Sequence, residues 1–334
     1  MTTNRRWLVN GDPRGRALAP DDWVLEESEL APLTEGEVRV STEVLAFQPA
    51  QKGQMEVIPG YSGGNLIGKV MGAEGIGEVV ESNAGDIEVE VGSKVIGPLG
   101  WQQFADLKPH QIRVVADDGL LTARLGPLGS SGLTAYFGLL RIGQPEAGDT
   151  VVISGAAGAV GSMAGQIAKI CGCQVIGTAG GQEKCNWLVN EVGYDAAIDY
   201  KNEHVKSRLK EFAANGVNVF FDNVGGPVLN DVLARIAPKA RVVICGGISR
   251  YEQETLPAGP ANYFNIVFRQ ARIEGFLLSG YEKEYPQAIE RMTQWIRDGR
   301  LVYREDVQEG FDNIPATLMR LFTGQNFGKQ LLRL

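Results

Sequence analysis

VVISGAAGAVGSMAGQIAKI, residues 151–170, is the stretch from which the fold is read. Its first four residues are a short apolar run of the kind a buried strand requires, and its last twelve carry apolar residues at helical spacing. Between them stand Gly155, Gly158 and Gly161. Strand, glycine turn and helix form the arrangement in which small residues let the backbone approach a pyrophosphate, while the first N–H groups and positive dipole end of the helix face it. Position 156 is Ala where the commonest fingerprint has Gly, so the spelling is Ala-x-Gly-x-x-Gly. Alone, such a motif also fits close packing of a helix on a strand; with strands on both sides of it, it points to a dinucleotide.

Working outward, the C-terminal side repeats the pattern. Strands are predicted at QVIGTA (174–179), AAIDY (196–200), VNVFFDNV (217–224), RVVICG (241–246) and RIEGFLL (272–278). Helical stretches lie between them at about 183–192, 203–214 and 227–236. Strands alternating with helices predict an α/β fold, a doubly wound parallel sheet with ligands at the carboxyl ends of its strands. On the N-terminal side the character differs. VRVSTEVLAF (38–47), GIGEVVES (75–82), SKVIGPLG (93–100) and QIRVV (111–115) are short alternating runs bounded by Gly, Pro and Asp, which predict an antiparallel, barrel-like β domain. The change falls near residue 128. After the helix YPQAIERMTQWIRDG, the tail from Leu301 has strand, helix and strand character and is expected to return to the first domain. The expected division is 1–127 with 301–334, and 128–300.

The end of the second strand of such a unit selects between nicotinamide cofactors, because an NAD site places Asp or Glu there to bond the ribose 2′-hydroxyl. Here the stretch is Thr178-Ala179-Gly180-Gly181-Gln182, with no acid before Glu183 and with Lys184 next. A 2′-phosphate is accommodated rather than repelled, with Lys184 as counter-charge, so NADPH is the expected cofactor.

Composition removes several alternatives. The chain has 32 basic and 40 acidic residues, a formal net charge of −8, which disfavours a polyanion, so no nucleic-acid partner is expected. No run approaches the length of a signal peptide core or a membrane span, so a cytoplasmic protein with no membrane partner is expected. The four cysteines, Cys171, Cys173, Cys185 and Cys245, read as reduced thiols. A catalytic zinc of the alcohol dehydrogenase kind takes two Cys and one His, yet the first 170 residues hold no Cys and a single His, His110, so no metal is expected. His110 and His204 read as surface residues, and no Gly-x-Ser-x-Gly elbow points to a serine hydrolase. Of 334 residues 43 are Gly, nearly twice the usual share of about 7%, and an informative subset stands at the turns expected to hold the cofactor.

Hydride transfer without a metal requires that the electrophile be activated by a hydrogen bond to the carbonyl oxygen that becomes enolate-like, or by the cofactor's own ribose hydroxyl. A phenol suits that role. Tyr251, after the strand and turn Cys245-Gly246-Gly247-Ile248-Ser249, and Tyr61, in PGYSGG of the other domain, are the two candidates; either could equally be a packing or rim tyrosine.

GAAGAVGSMAGQIAKICGC, FFDNVGG, CGGISRY, IEGFLLS, YREDVQEGFDNIPATLMRLF and GQNFGK, in this order, resemble the zinc-independent medium-chain dehydrogenases/reductases. The resemblance is to the branch of NADPH-dependent alkenal/one reductases, leukotriene B4 12-hydroxydehydrogenase/15-oxo-prostaglandin 13-reductases and curcumin reductases. It implies a GroES-like β-barrel catalytic domain, a Rossmann domain and a homodimer. It also implies that Gly158, Ala159, Val160 and Gly161 hold the pyrophosphate, and that Lys184 and Tyr200, beside Gly180, hold the 2′-phosphate end. Asn223, Cys245, Gly246, Gly247, Ile248, Ser249, Arg250, Tyr251, Phe276, Leu277, Leu278 and Asn326 would complete the NADPH site. The implied activity is reduction of the C=C bond of α,β-unsaturated ketones or aldehydes; a quinone oxidoreductase and a non-catalytic NADPH-binding protein are the rivals. Where many members read DPYMRGRM, this chain reads QPAQKGQM from Gln48 to Met55, which suggests an altered, roomier pocket with Phe47 and Trp101 among its apolar walls.

Overall fold

The computed structural model describes residues 3–56, 66–85, 89–255 and 257–334. The chain divides into two units, Met1–Leu125 with Glu305–Leu334, and Gly126–Arg304.

In the first unit, β1 (Thr3–Val9) and β2 (Trp23–Glu29) form an antiparallel ribbon. There follow β3 (Val38–Ala46), the short helix α1 (Ala50–Met55), β4 (Gly75–Ser82), β5 (Lys94–Gly97), β6 (Phe104–Leu107) and β7 (Arg113–Val114). β3 is the spine, with β4 and β6 both pairing antiparallel to it. Its register with β4 shifts between Thr42 and Val44, and there a Cβ on Gly77 would lie 2.3 Å from the Ser41 carbonyl oxygen, so only glycine fits.

α1 is the QPAQKGQM segment, and its polar side chains point inward. Gln51 donates to the Gly72 carbonyl at 2.8 Å and accepts from the Gln48 N–H at 2.9 Å. The fully buried Lys52 donates to the Pro13 carbonyl at 2.9 Å and pairs with Glu56. Ala50, at the family's tyrosine position, is exposed.

The second unit begins with α2 (Ser130–Phe137), which widens into a π-helical turn over Gly138–Gly143. β8 (Thr150–Ile153), α3 (Ala159–Ile170), β9 (Gln174–Ala179), α4 (Gln182–Asn190), β10 (Ala196–Asp199) and α5 (Val205–Phe212) follow, then β11 (Val217–Asp222) and α6 (Gly226–Leu233). β12 (Ile236–Ile244), α7 (Asn265–Arg269), β13 (Arg272–Gly275) and α8 (Tyr285–Arg297) complete the unit. All neighbours in its sheet are parallel, in the order β10-β9-β8-β11-β12-β13. Val151, Val152, Phe220, Phe221 and Val243 are fully buried, as central strands covered on both faces must be. Each such side chain contributes roughly 1.5–3 kcal/mol through burial.

The chain then returns through β14 (Glu305–Glu309), α9 (Ile314–Thr323) and β15 (Lys329–Arg333). β15 pairs antiparallel with β3 and parallel with β14, extending the first unit's large sheet to the order β14-β15-β3-β4-β5-β7, with β6 on β3. Ile314, Leu318 and Leu321 of α9 enter the core that holds Val38, Val40, Leu45, Phe47 and Trp101. Among the described residues, no helix is long and apolar enough to cross a membrane.

Candidate cofactor site

In the second unit the chain steps outward from β8 through β9 to β10, then reverses from β11 through β12 to β13. The reversal leaves a crevice between β8 and β11 at their carboxyl ends, which is where open α/β sheets bind ligands. Three loops meet this edge.

The first follows β8. Gly155 has φ +59°, and a Cβ on Gly161 would lie 2.4 Å from the Gly155 carbonyl oxygen, so the first turn of α3 packs directly on the loop. Gly158 is the N-cap of α3 and no side chain caps the helix. Its leading amides are therefore available to an anion, the cradle that a pyrophosphate needs. Behind the loop lies Tyr194, fully buried, whose hydroxyl donates to the Gly161 carbonyl at 2.7 Å; burial raises its pKa and keeps the phenol a donor.

A second loop follows β9. Gly181 adopts φ +107° as the N-cap of α4, with Lys184 in that helix's first turn. Directly after the neighbouring β10 stands Tyr200, an exposed residue whose hydroxyl would lie 2.8 Å from a Cβ on Gly180. Tyr200 and Gly180 thus meet at the carboxyl ends of β9 and β10, with Lys184 in the helix that follows β9.

FDNVGG and CGGISRY make the third region and are interlocked. The Asp222 carbonyl accepts from the N–H groups of Cys245 (2.9 Å) and Gly246 (3.1 Å), and the Val224 carbonyl accepts from Ser249 Oγ at 2.6 Å. Ser154, fully buried at the end of β8, donates through Oγ to Asp222 Oδ1 at 2.7 Å and accepts the Asn223 N–H at 2.8 Å. Asn223 Nδ2 in turn donates to the Ser154 carbonyl at 2.7 Å, tying the two sides of the crevice together. Asp222 Oδ1 also accepts from Val224 and Gly225, while Oδ2 is buried without a hydrogen-bond partner among the described residues. Desolvation pushes the Asp222 carboxyl above its ordinary range. Burial and the nearby Asp222 push the Cys245 thiol up to about 12, so it remains protonated and is no nucleophile.

Comparison with known proteins adds independent findings. The family described as zinc-binding dehydrogenase matches residues 159–294, and that described as the N-terminal domain of oxidoreductase matches residues 5–115. The NADPH-dependent curcumin reductase of Escherichia coli is 35% identical, covering 99% of this chain and 96% of its own length. The chain is a medium-chain dehydrogenase/reductase. A second relative of this medium-chain dehydrogenase/reductase, the NADP(+)-dependent 2-alkenal reductase of Nicotiana tabacum, is 36% identical over 89% of this chain and 87% of its own. The crystal structure of CurA from Vibrio vulnificus in complex with NADPH superposes with TM-score 0.93 at 34% identity, covering 98% of each chain.

Although the family description names zinc, this medium-chain dehydrogenase/reductase has no cysteine before Cys171. Among the described residues no three His, Cys, Asp or Glu side chains gather so as to hold a metal ion.

Of the residues singled out from the sequence, Gly158, Ala159, Val160, Gly161, Gly180, Lys184, Tyr200, Asn223 and the run Cys245, Gly246, Gly247, Ile248, Ser249, Arg250 and Tyr251 all lie at the carboxyl end of the one sheet. Phe276 follows β13 and packs toward Gly138 and Phe221; Leu277 is exposed, and the Leu278 carbonyl accepts from the Tyr285 hydroxyl at 2.9 Å. Asn326 belongs to the other unit, between α9 and β15. Tyr61 lies outside the described residues. Phe47 and Trp101 are both buried in the first unit's core, their rings 5.8 Å apart, with Trp101 also 5.3 Å from Trp23. Ser154, Tyr194, Asp199 and Asp222 were not singled out, though Ser154 and Asp222 directly flank glycine turns that were.

Proposed function

We propose that the protein is an NADPH-dependent reductase of the C=C bond of α,β-unsaturated ketones and aldehydes. The observation that carries the cofactor choice is the end of β9, where Gly180-Gly181 stands in place of an acid and Lys184 and Tyr200 flank it. The named activities of the 2-alkenal and curcumin reductases, together with the NADPH complex of the Vibrio relative, support the chemistry.

In this reading the backbone of Gly158–Gly161 holds the pyrophosphate and Lys184 with Tyr200 the 2′-phosphate. Asn223, Cys245–Tyr251, Phe276–Leu278 and Asn326 complete the site. When bound, NADPH supplies a hydride. Tyr251 donates its phenol proton as a hydrogen bond to the substrate carbonyl oxygen, with Tyr61 the alternative donor, and this stabilises negative charge developing there as the β-carbon is reduced. A proton then adds at the α-carbon. The first unit with its returning tail serves as the catalytic domain, and the site of action is the cytoplasm. Incubated with NADPH and an acyclic enone, the protein consumes cofactor and forms the saturated ketone in equal amounts. An allylic alcohol as product contradicts the proposal.

The assembly we propose is a homodimer formed through β13. This strand ends the second unit's sheet, and it is exposed along its length. Beside it in sequence Tyr263, Phe264, Val267, Phe268 and Leu277 are all more than half exposed, an unusual apolar surface to leave to water. Antiparallel pairing of two copies about a two-fold axis at Ile273 sets Arg272 opposite Glu274 of the other copy at both positions.

A further inference from the structure

We infer that Lys201 determines cofactor selectivity as a second cation of the 2′-phosphate pocket, placed there by Asp199. The inference rests on the NADPH reading and adds to it a residue outside the site assigned above.

β9 and β10 are adjacent parallel strands, with Asp199 opposite Ala179. Their carboxyl ends therefore emerge side by side, one as Gly180-Gly181 and the other as Tyr200-Lys201. A Cβ on Gly180 would lie 2.8 Å from Tyr200 Oη and 2.9 Å from Lys201 Cε, so both side chains close over the same glycine. Lys184 follows that glycine pair in sequence, in the first turn of α4. Each strand end is thus followed by a lysine, Lys184 after β9 and Lys201 after β10.

Asp199 explains why Lys201 takes this course. It stands where an acid would repel a phosphate, but it is only 3% exposed and faces inward. Oδ1 accepts the Gly181 N–H at 2.8 Å and the Lys201 N–H at 3.1 Å, and Oδ2 accepts from Asn202 Nδ2 at 2.7 Å. Its own N–H donates to Glu203 Oε2 at 2.9 Å, and Glu203 also pairs with Arg208, so that carboxylate is engaged as well. One buried carboxylate therefore ties the two turns to each other, bringing the backbone of Lys201 against that of Gly181. Glu183 is the remaining acid of the first turn of α4. A dianionic phosphate monoester flanked by two ammonium groups and a phenol gains charge-assisted hydrogen bonds that a 2′-hydroxyl cannot make.

The test is equilibrium binding of NADPH and of NADH, followed by calorimetry, for the wild type and for Lys201→Ala, Lys201→Arg and Asp199→Asn. Because Lys201 is exposed, Lys201→Ala is expected to weaken NADPH by about tenfold, near the low end for hydrogen bonds to charged groups, and to leave NADH unchanged. Lys201→Arg retains NADPH binding within about twofold, since it keeps the charge. Asp199→Asn weakens NADPH selectively if Asp199 positions Lys201. Unchanged NADPH affinity in Lys201→Ala overturns the inference, and so does equal weakening of both cofactors. Equal weakening of both by Asp199→Asn overturns the positioning role. If the wild type binds NADH as tightly as NADPH, the NADPH reading itself fails; if its preference for NADPH is undiminished in Lys201→Ala, only the present inference fails.

Discussion

Lys329 shows how much a single side chain can carry without being legible in the sequence. Its ammonium is buried inside the first unit, donating to the Phe47 carbonyl at 3.1 Å. Desolvation lowers its pKa from 10.5 to about 8, an effect that the nearby Glu74 partly opposes. Desolvation also raises Glu74 above the ordinary carboxylate range, with Lys329 and Arg113 opposing. Between pH 8 and 10.5 the folded protein has lost the Lys329 proton while the unfolded chain still holds it, so stability rises with pH across that window. The span corresponds to a contribution on the order of 3 kcal/mol. The thiols of Cys173, Cys185 and Cys245 have raised pKa values and act in the opposite sense at high pH, which makes a variant the proper reference. Urea unfolding followed from pH 7 to 10.5 is expected to show the stability difference between wild type and Lys329→Met shifting in favour of wild type as pH rises. Parallel profiles would exclude the effect. Nothing in GQNFGK distinguishes a buried lysine from a surface one. Phe47, just after β3, and Trp101, between β5 and β6, likewise give no sign in the sequence of their ring contacts with each other and of Trp101 with Trp23.

At the scale of elements, legibility follows burial. Strands of the parallel sheet are covered on both faces and therefore spell near-continuous apolar runs, so β8, β9, β10, β11 and the core of β12 were readable. β1 and β2 are ribbon strands with mixed burial, and the charges in TNRRWLV and WVLEESE hide their alternation. β12 begins earlier than read, at Ile236, through a stretch whose Pro238 and Lys239 mask it. β13 stops at Gly275, because Phe276 turns in toward Gly138, where a Cβ would lie 2.6 Å from its ring. The exposure of β13 and α7 carries a prediction of its own. Sedimentation at micromolar concentration is expected to give twice the 36.1 kDa of one chain, and Arg272→Glu is expected to shift the protein toward monomer by placing like charges opposite each other. The double variant Arg272→Glu/Glu274→Arg restores pairing. A monomeric wild type contradicts the proposed dimer.

For the molecule as a whole, the fold class was legible because the glycine fingerprint, the alternation of strands and helices, and the antiparallel character of the N-terminal runs all pointed the same way. The candidate cofactor site was legible where function depends on backbone, at Gly158–Gly161, Gly180 and the turns after β11 and β12. It was less so where function depends on buried polar side chains, since Ser154, Asp199 and Asp222 acquire their roles only when strand ends are brought side by side. The substrate end is the least legible. Its departure from the family at 48–55 proves to be a helix whose Gln51 and Lys52 are anchored inward, and Tyr61 falls outside the described residues. Hydride delivery to a carbon–carbon double bond is tested by incubating the protein with an acyclic enone and NADPH carrying deuterium at the transferable C4 position. A saturated ketone with the deuterium on its β-carbon is expected; deuterium on the former carbonyl carbon, in an allylic alcohol, would rule that delivery out.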